Sequence, residues 1–254
     1  MQTKVKTQQE IKDMRTSGHM LATVLQATGR YMQAGMTTKD LADFAAKELR
    51  KLGGKPAFLG YHGFPDVLCV SVNEEIIHGI PNRQKVIQEG DIISMDFGVI
   101  YNGMITDSAI SKLVGNGSSK NKLLIKKTQE ALFAGLDVVK KSVKIGTIGA
   151  HIEPVLISAG LGVVREYVGH GVGHNLHESP NIPNYGIKGE GESLLSGMTV
   201  AIEPMATLGS ELTTVAPDGW TVVTQDGSYS AHFEHTILVT DDGCEILTSI
   251  DAVN

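Results

Sequence analysis

Acidic side chains stand inside stretches that otherwise read as apolar strands, and this restricts the fold more than any other feature of the chain. Asp96 and Asp107 flank the dipeptide Asn102-Gly103, Glu203 interrupts Thr199-Val200-Ala201-Ile202-Glu203-Pro204-Met205, and Glu234 interrupts His232-Phe233-Glu234-His235-Thr236-Ile237-Leu238-Val239. A carboxylate in such a run needs a partner once the strand is buried. A buried salt bridge is the plain reading for Glu203, but no matching Lys or Arg lies nearby in the sequence. The stretch Gly169-His170-Gly171-Val172-Gly173-His174-Asn175-Leu176-His177-Glu178-Ser179-Pro180 supplies imidazoles among glycines that let backbone and ligand approach closely. Spacing alone does not choose among His170, His174 and His177. One neutral imidazole and four carboxylates brought together carry a charge of about −4, which two divalent cations would balance. The expectation is two-metal hydrolytic chemistry.

The first acidic pair has a geometric basis, because Asn102-Gly103 is a strong two-residue hairpin turn. With that turn Tyr101 faces Met104, Gly98 faces Asp107, and Asp96 lies diagonally across from Asp107 on the same face. Two aspartates about 4 Å apart repel by roughly 4 kcal/mol at an effective dielectric of 20, so a cation or a shared proton must relieve them. Gly98 is expected to leave room for it. Read alone, the pair also fits two solvated aspartates beside a turn.

The order of elements repeats. Thr7-Gln8-Gln9-Glu10 is a capping-box pattern that opens a long helix carrying Ile11, Met14, Leu21, Leu25 and Tyr31 until Gly35. A second helix begins at Thr37-Thr38-Lys39-Asp40, aligns Leu41, Phe44, Leu49 and Leu52 on one stripe, and stops at Gly53-Gly54. Strands are expected over residues 66–73 and 91–100. Beyond a polar connector at 115–119, helical patterns at 120–143 and 147–159 precede strand-like runs at 162–168, 199–207, 221–224 and 229–239, with Pro154 predicting a kink or early stop in the fourth helix.

A chain of 254 residues organised in this way predicts an α+β fold with antiparallel sheets, helices packed outside and a cleft between. The expected division is a single catalytic domain over 1–254, made of two pseudo-symmetric halves at about 1–114 and 119–254. A net charge of −6 argues against nucleic acid or anionic membrane as partner. No apolar run is long enough for a signal peptide or a bilayer span. Cys69 and Cys244 have neither metal nor disulfide spacing, so a cytoplasmic protein with reduced thiols is expected, with Cys69 a packing residue.

Together Val72-Asn73-Glu74-Glu75-Ile76-Ile77-His78-Gly79-Ile80-Pro81, the two-aspartate hairpin, Gly169-His170-Gly171-Val172-Gly173, Ile202-Glu203-Pro204 and Glu234-His235-Thr236 resemble the methionine aminopeptidases of type I, in order and spacing, over nearly the whole chain. That resemblance implies the pseudo-symmetric pita-bread (creatinase/aminopeptidase-like) fold and a dinuclear site held by Asp96, Asp107, His170, Glu203 and Glu234. It implies that Asp107 and Glu234 are shared, that Asp96 belongs to one metal, and that His170 and Glu203 belong to the other. His78 and His177 match non-ligand active-site histidines that contact the scissile amide and the developing oxyanion, whereas His174 matches no functional position. The methionine pocket carries over to Phe58, Tyr61, Phe64, Cys69, Leu176 and Trp220. Two positions depart from the pattern, Phe58 standing where cysteine is frequent and Leu176 where an aromatic residue is. Both stay apolar, so a thioether side chain still fits.

The implied activity is removal of the N-terminal methionine from nascent proteins and peptides whose second residue is small. Two divalent ions (Co, Mn, Fe or Zn) would activate the attacking water, and Glu203 would shuttle the proton. The 179–199 segment is too short for the large helical insertion of type II relatives, and no N-terminal zinc-finger extension is seen. A minimal enzyme is therefore expected, and its expected setting is as a monomer near the ribosome exit, although no basic patch marks such an association. Two rivals share the pattern. A prolidase or Xaa-Pro aminopeptidase usually adds an N-terminal domain, and a non-catalytic binding relative usually loses ligands, whereas all five are present here.

Overall fold

A threonine caps each of the two N-terminal helices. The structure, a computed structural model, describes residues 5–250, so the outer four residues at each end of the expected 1–254 domain lie outside it. α1 (Gln8–Tyr31) starts at Thr7, whose hydroxyl accepts from the Glu10 N–H while the Glu10 carboxylate accepts from the Thr7 N–H. α2 (Thr38–Leu52) repeats the reciprocal pair with Thr37 and Asp40, and ends at Gly53 with φ 82°, a left-handed cap. α1 stops at Tyr31 rather than reaching Gly35. On α2, Leu41 and Leu49 are buried, but Leu52, the last residue before the cap, is 40% exposed and leaves the expected stripe.

β1 (Lys55–Pro56), β2 (Cys69–Val72) and β3 (Glu75–Ile77) lead to the hairpin of β4 (Ile92–Tyr101) and β5 (Met104–Leu113). β4 pairs with β5 along its whole length and with β1 and β2 on its other edge. Leu21, Leu25, Leu41 and Leu49 of the helices pack with Met95, Phe97 and Val99 of β4 in one core. Burial of such side chains stabilises each by about 1.5–3 kcal/mol relative to exposure.

The second half opens with α3 (Ser119–Leu136) and α4 (Ile145–Ile157). α3 ends before the expected 143, and Ser142 takes a left-handed φ of 68° that no helix accommodates. α4 runs through Pro154. The proline lies in the last turn, where its missing donor removes one ladder bond near the end and does not stop the helix. There follow β6 (Gly162–Val163), β7 (Gly169–Gly171), β8 (Glu178–Ile182), β9 (Thr199–Ile202), β10 (Met205–Thr207), β11 (Thr213–Val215), β12 (Val222–Thr224), β13 (Ser230–His232), β14 (His235–Val239) and β15 (Cys244–Ile246). Leu132, Ile148 and Ile152 from the helices meet Val200, Ile202 and Ile237 from the strands in a second core.

Among the described residues the strands form four separate sheets: the β4–β5 sheet, β13-β10-β6, β11-β12-β3 and β15-β14-β9-β7-β8. The reason lies at the acidic residues. The expected long strands 199–207 and 229–239 are each broken, the first at Glu203-Pro204 and the second at Phe233-Glu234. Ile202 faces His235 on one side of the break and Met205 faces His232 on the other. The register is unchanged across the gap, so Glu203 stands opposite Glu234.

The same residues join the halves. The Glu234 N–H donates to the Ala109 carbonyl at 2.9 Å, and the Ala109 N–H donates back at 3.3 Å. The Thr236 hydroxyl accepts from the Asp107 N–H at 2.9 Å and donates to the Asp107 carbonyl at 2.7 Å. Ser111 bridges likewise to the His232 backbone, accepting its N–H at 2.8 Å and donating to its carbonyl at 2.9 Å. β5 thereby places Asp107 against the strand break that carries Glu234.

Candidate metal centre

The hairpin has the register read from the sequence: Tyr101 faces Met104, Gly98 faces Asp107, and Asp96 faces Ala109. Asn102 and Gly103 both take left-handed φ, 48° and 82°, as the turn requires. The role expected of Gly98 is corrected. A Cβ there would lie 2.6 Å from the Phe58 ring and 2.9 Å from Ala57, so the missing side chain makes room for an apolar wall and not for a cation.

Donor atoms of Asp107, His170 and Glu234 lie within 4.8 Å of one another, and all three residues are buried. Asp96 lies beside Asp107 and keeps some exposure, to the cavity it lines. Glu203 Oε1 is 3.4 Å from His170 Nε2. The His170 Nδ1–H donates to the Gly171 carbonyl at 2.9 Å, which leaves the Nε2 lone pair facing the acids. The glutamate is held from behind, its carbonyl accepting from the buried Asn184 amide at 3.0 Å.

Burial dominates the electrostatics. It raises the Asp96, Glu203 and Glu234 carboxyls well above the usual carboxylate range, with mutual repulsion adding to the effect, and it pushes Asp107 up to about 7. Burial pushes the His170 imidazole down to about 3, so it stays neutral. One oxygen each of Asp96, Asp107 and Glu234 is buried with no hydrogen-bond partner. Orphaned oxygens beside a neutral nitrogen are a donor set that suits divalent metal.

These five side chains line a cavity of about 140 Å³ together with His78, His177 and the six apolar-pocket residues named from the sequence. That volume is below the roughly 300–1,000 Å³ of drug-sized sites and suits a single side chain. Phe58, Phe64, Cys69 and Leu176 form its apolar cluster, with Tyr61 and Trp220 packed against them. Phe64 meets Trp220 edge-on at 5.2 Å. Trp220 sits in a turn whose N–H groups, its own and that of Thr221, donate to Asp218 at 2.9 Å. The Tyr61 hydroxyl is hydrogen-bonded to His177 Nδ1 at 2.7 Å. His78 takes a left-handed φ of 59°, a conformation retained only where surroundings impose it, and burial pushes its imidazole down to about 4.

Other residues at the site were missed by sequence reasoning. Ile77, Tyr167 and Val168 complete the lining. His232, 1% exposed, brings Nε2 to 3.6 Å from Glu203 Oε2. Its position two before Glu234, on the same face under strand alternation, was the available signal. His174 lies outside the cavity, 2.7 Å from Glu10.

An acid-lined cavity between two sheet-and-helix halves defines a class of hydrolase, and comparison agrees: the sequence profile of metallopeptidase family M24 matches residues 12–241, and the chain belongs to that family. It is similar to methionine aminopeptidases within it. Methionine aminopeptidase 1 of Bacillus subtilis is 44% identical over 245 residues, 96% of this chain and 98% of the relative. The crystal structure of methionine aminopeptidase from Thermotoga maritima aligns with a TM-score of 0.96 at 44% identity, over 97% of this chain and 99% of that one. Prolidase from Pyrococcus furiosus aligns at a TM-score of 0.78 and 20% identity, over 96% of this chain and 65% of that one, a likeness of fold alone. The architecture is the pita-bread fold. Among the described residues no helix is long and apolar enough to cross a membrane.

Proposed function

We propose that the chain is a methionyl aminopeptidase that removes the N-terminal methionine from nascent proteins and peptides when the second residue is small. The observation that carries this reading is the single cavity in which an aromatic, thioether-sized pocket opens directly onto the carboxylate–imidazole cluster. The donor set suits two divalent ions (Co, Mn, Fe or Zn), with Asp107 and Glu234 shared, Asp96 on one side and His170 with Glu203 on the other. Bound there, such ions supply a nucleophilic water at neutral pH and a hold on the substrate amine. Glu203 takes the proton from the attacking water and passes it to the leaving nitrogen. His177, steadied by Tyr61, donates to the tetrahedral oxyanion, and His78 holds the scissile nitrogen. Phe58, Phe64, Cys69, Leu176 and Trp220 enclose the unbranched side chain, and the thiol of Cys69, its acidity suppressed by burial, acts as an apolar wall.

In this reading residues 1–254 are one catalytic unit of two related halves, about 1–114 and 119–254, supported by the separate core under each helix pair. The enzyme works as a monomer in the cytoplasm on chains emerging from the ribosome. Free thiols at Cys69 and Cys244 support a reducing compartment, and the net charge of −6 supports the absence of nucleic-acid binding. The test is cleavage of Met-Ala-Ser against Ala-Pro-Ala by metal-stripped protein titrated separately with each cation. Methionine release from the first peptide and inertness toward the second are expected. Cleavage of the second alone overturns the reading in favour of proline-directed hydrolysis.

A further inference from the structure

The loop from Gly173 to Glu178 carries both Leu176 of the apolar pocket and His177, and it is fastened to the opposite end of the chain. Lys6 Nζ lies 3.0 Å from Glu178 Oε2, with the two side chains 0% and 4% exposed. The other oxygen of Glu178 accepts the Asn175 N–H at 2.9 Å. His174 Nε2 meets Glu10 Oε1 at 2.7 Å, and its Nδ1 lies 3.7 Å from Glu178 Oε1. The lysine stem runs against the loop backbone, since a Cβ on Gly173 would lie 2.3 Å from Lys6 Cε. Lys6 is itself anchored, its N–H donating to the Gly197 carbonyl at 2.9 Å.

A buried ion pair adds little net stability compared with apolar side chains of the same volume, because desolvation offsets the attraction. What it does supply is a defined geometry. The pair, the Asn175 contact and the Glu10–His174 contact set the path of the backbone on both sides of Leu176 and His177. We propose that Lys6 is a positioning residue for the reaction: through Glu178 it holds His177 and Leu176 where the substrate needs them. The proposal rests on the aminopeptidase reading of the site.

Variants loaded with Mn2+ and assayed for methionine release from Met-Ala-Ser test it. Lys6→Met/Glu178→Leu removes both charges, so its melting temperature stays near wild type, while the Asn175 N–H loses its acceptor. Its kcat/KM falls about 10- to 100-fold, the scale on which a small misplacement of a catalytic group acts, with Mn2+ affinity unchanged. Lys6→Arg keeps the pair and keeps the activity. His174→Ala, a change at a partly exposed side chain that leaves folding intact, lowers kcat/KM about threefold. Wild-type kcat/KM in the double variant overturns the proposal, as does a loss that merely follows a lowered melting temperature. If the double variant does not fold, full activity in His174→Ala overturns it. A wild-type protein that releases no methionine overturns the aminopeptidase reading instead.

Discussion

Divalent metal is expected to bind this protein more weakly as the pH falls, and the buried acids set the size of the effect. Asp107 is pushed up to about 7 by burial, while Asp96, Glu203 and Glu234 are raised well above the usual range by burial and by one another. His170, pushed down to about 3, stays neutral at pH 5 and does not compete. A carboxyl raised in the folded state gives the metal-free protein stability that is fully present below the unfolded value near 4 and is lost as pH rises through the folded one. Metal relieves that loss by balancing the buried negative charge, whereas below the folded pKa it must first displace the proton. From Asp107 alone, a drop from pH 8 to pH 5 weakens binding about 100-fold, or about 2.7 kcal/mol. The melting-temperature gain on adding metal is then roughly 5–10 °C larger at pH 8 than at pH 5 for a chain of this size. The other three carboxyls only enlarge the effect. Titration calorimetry in two buffers of different ionisation enthalpy counts the protons released, and thermal melts with and without Mn2+ give the stability. Affinity constant within threefold from pH 5 to pH 8, or no proton release at pH 6, would refute the reasoning.

Three further outcomes follow from the packing and the site. Glu203→Ala lowers kcat by about 10²–10⁴-fold; near-normal methionine release by that variant removes the glutamate from its proton-transfer role. Tyr61→Phe deletes the 2.7 Å bond to His177 and lowers kcat/KM about 3- to 10-fold, while unchanged kinetics exclude the hydroxyl from orienting the imidazole. Gly18→Ala places a Cβ 2.1 Å from the Leu247 carbonyl oxygen. It costs about 1–3 kcal/mol by overpacking, visible in a denaturant melt, and a stability equal to wild type would show that this contact yields freely.

What was legible in the sequence was local. Thr7 with Glu10, Thr37 with Asp40, and Asn102-Gly103 each act within four residues, so caps and hairpin fall where the residue types place them. The five acidic and imidazole donors stood out because charge inside an apolar run needs company, but their division into roles came from resemblance. The strand breaks at Glu203-Pro204 and Phe233-Glu234 were hidden, since the apolar pattern continues through both and only Pro204 hinted at an interruption. Lys6 and Glu178 are 172 positions apart, and neither carries a local signal of the other.

The bonds between Ala109 and Glu234 and between Asp107 and Thr236 make the floor of the cavity the same object as the seam of the molecule. Rotating one half against the other, as a clamshell would, tears those bonds and scatters the donors in a single motion. His177 and Trp220 stand on short turns at the rim of that floor and line the way into it.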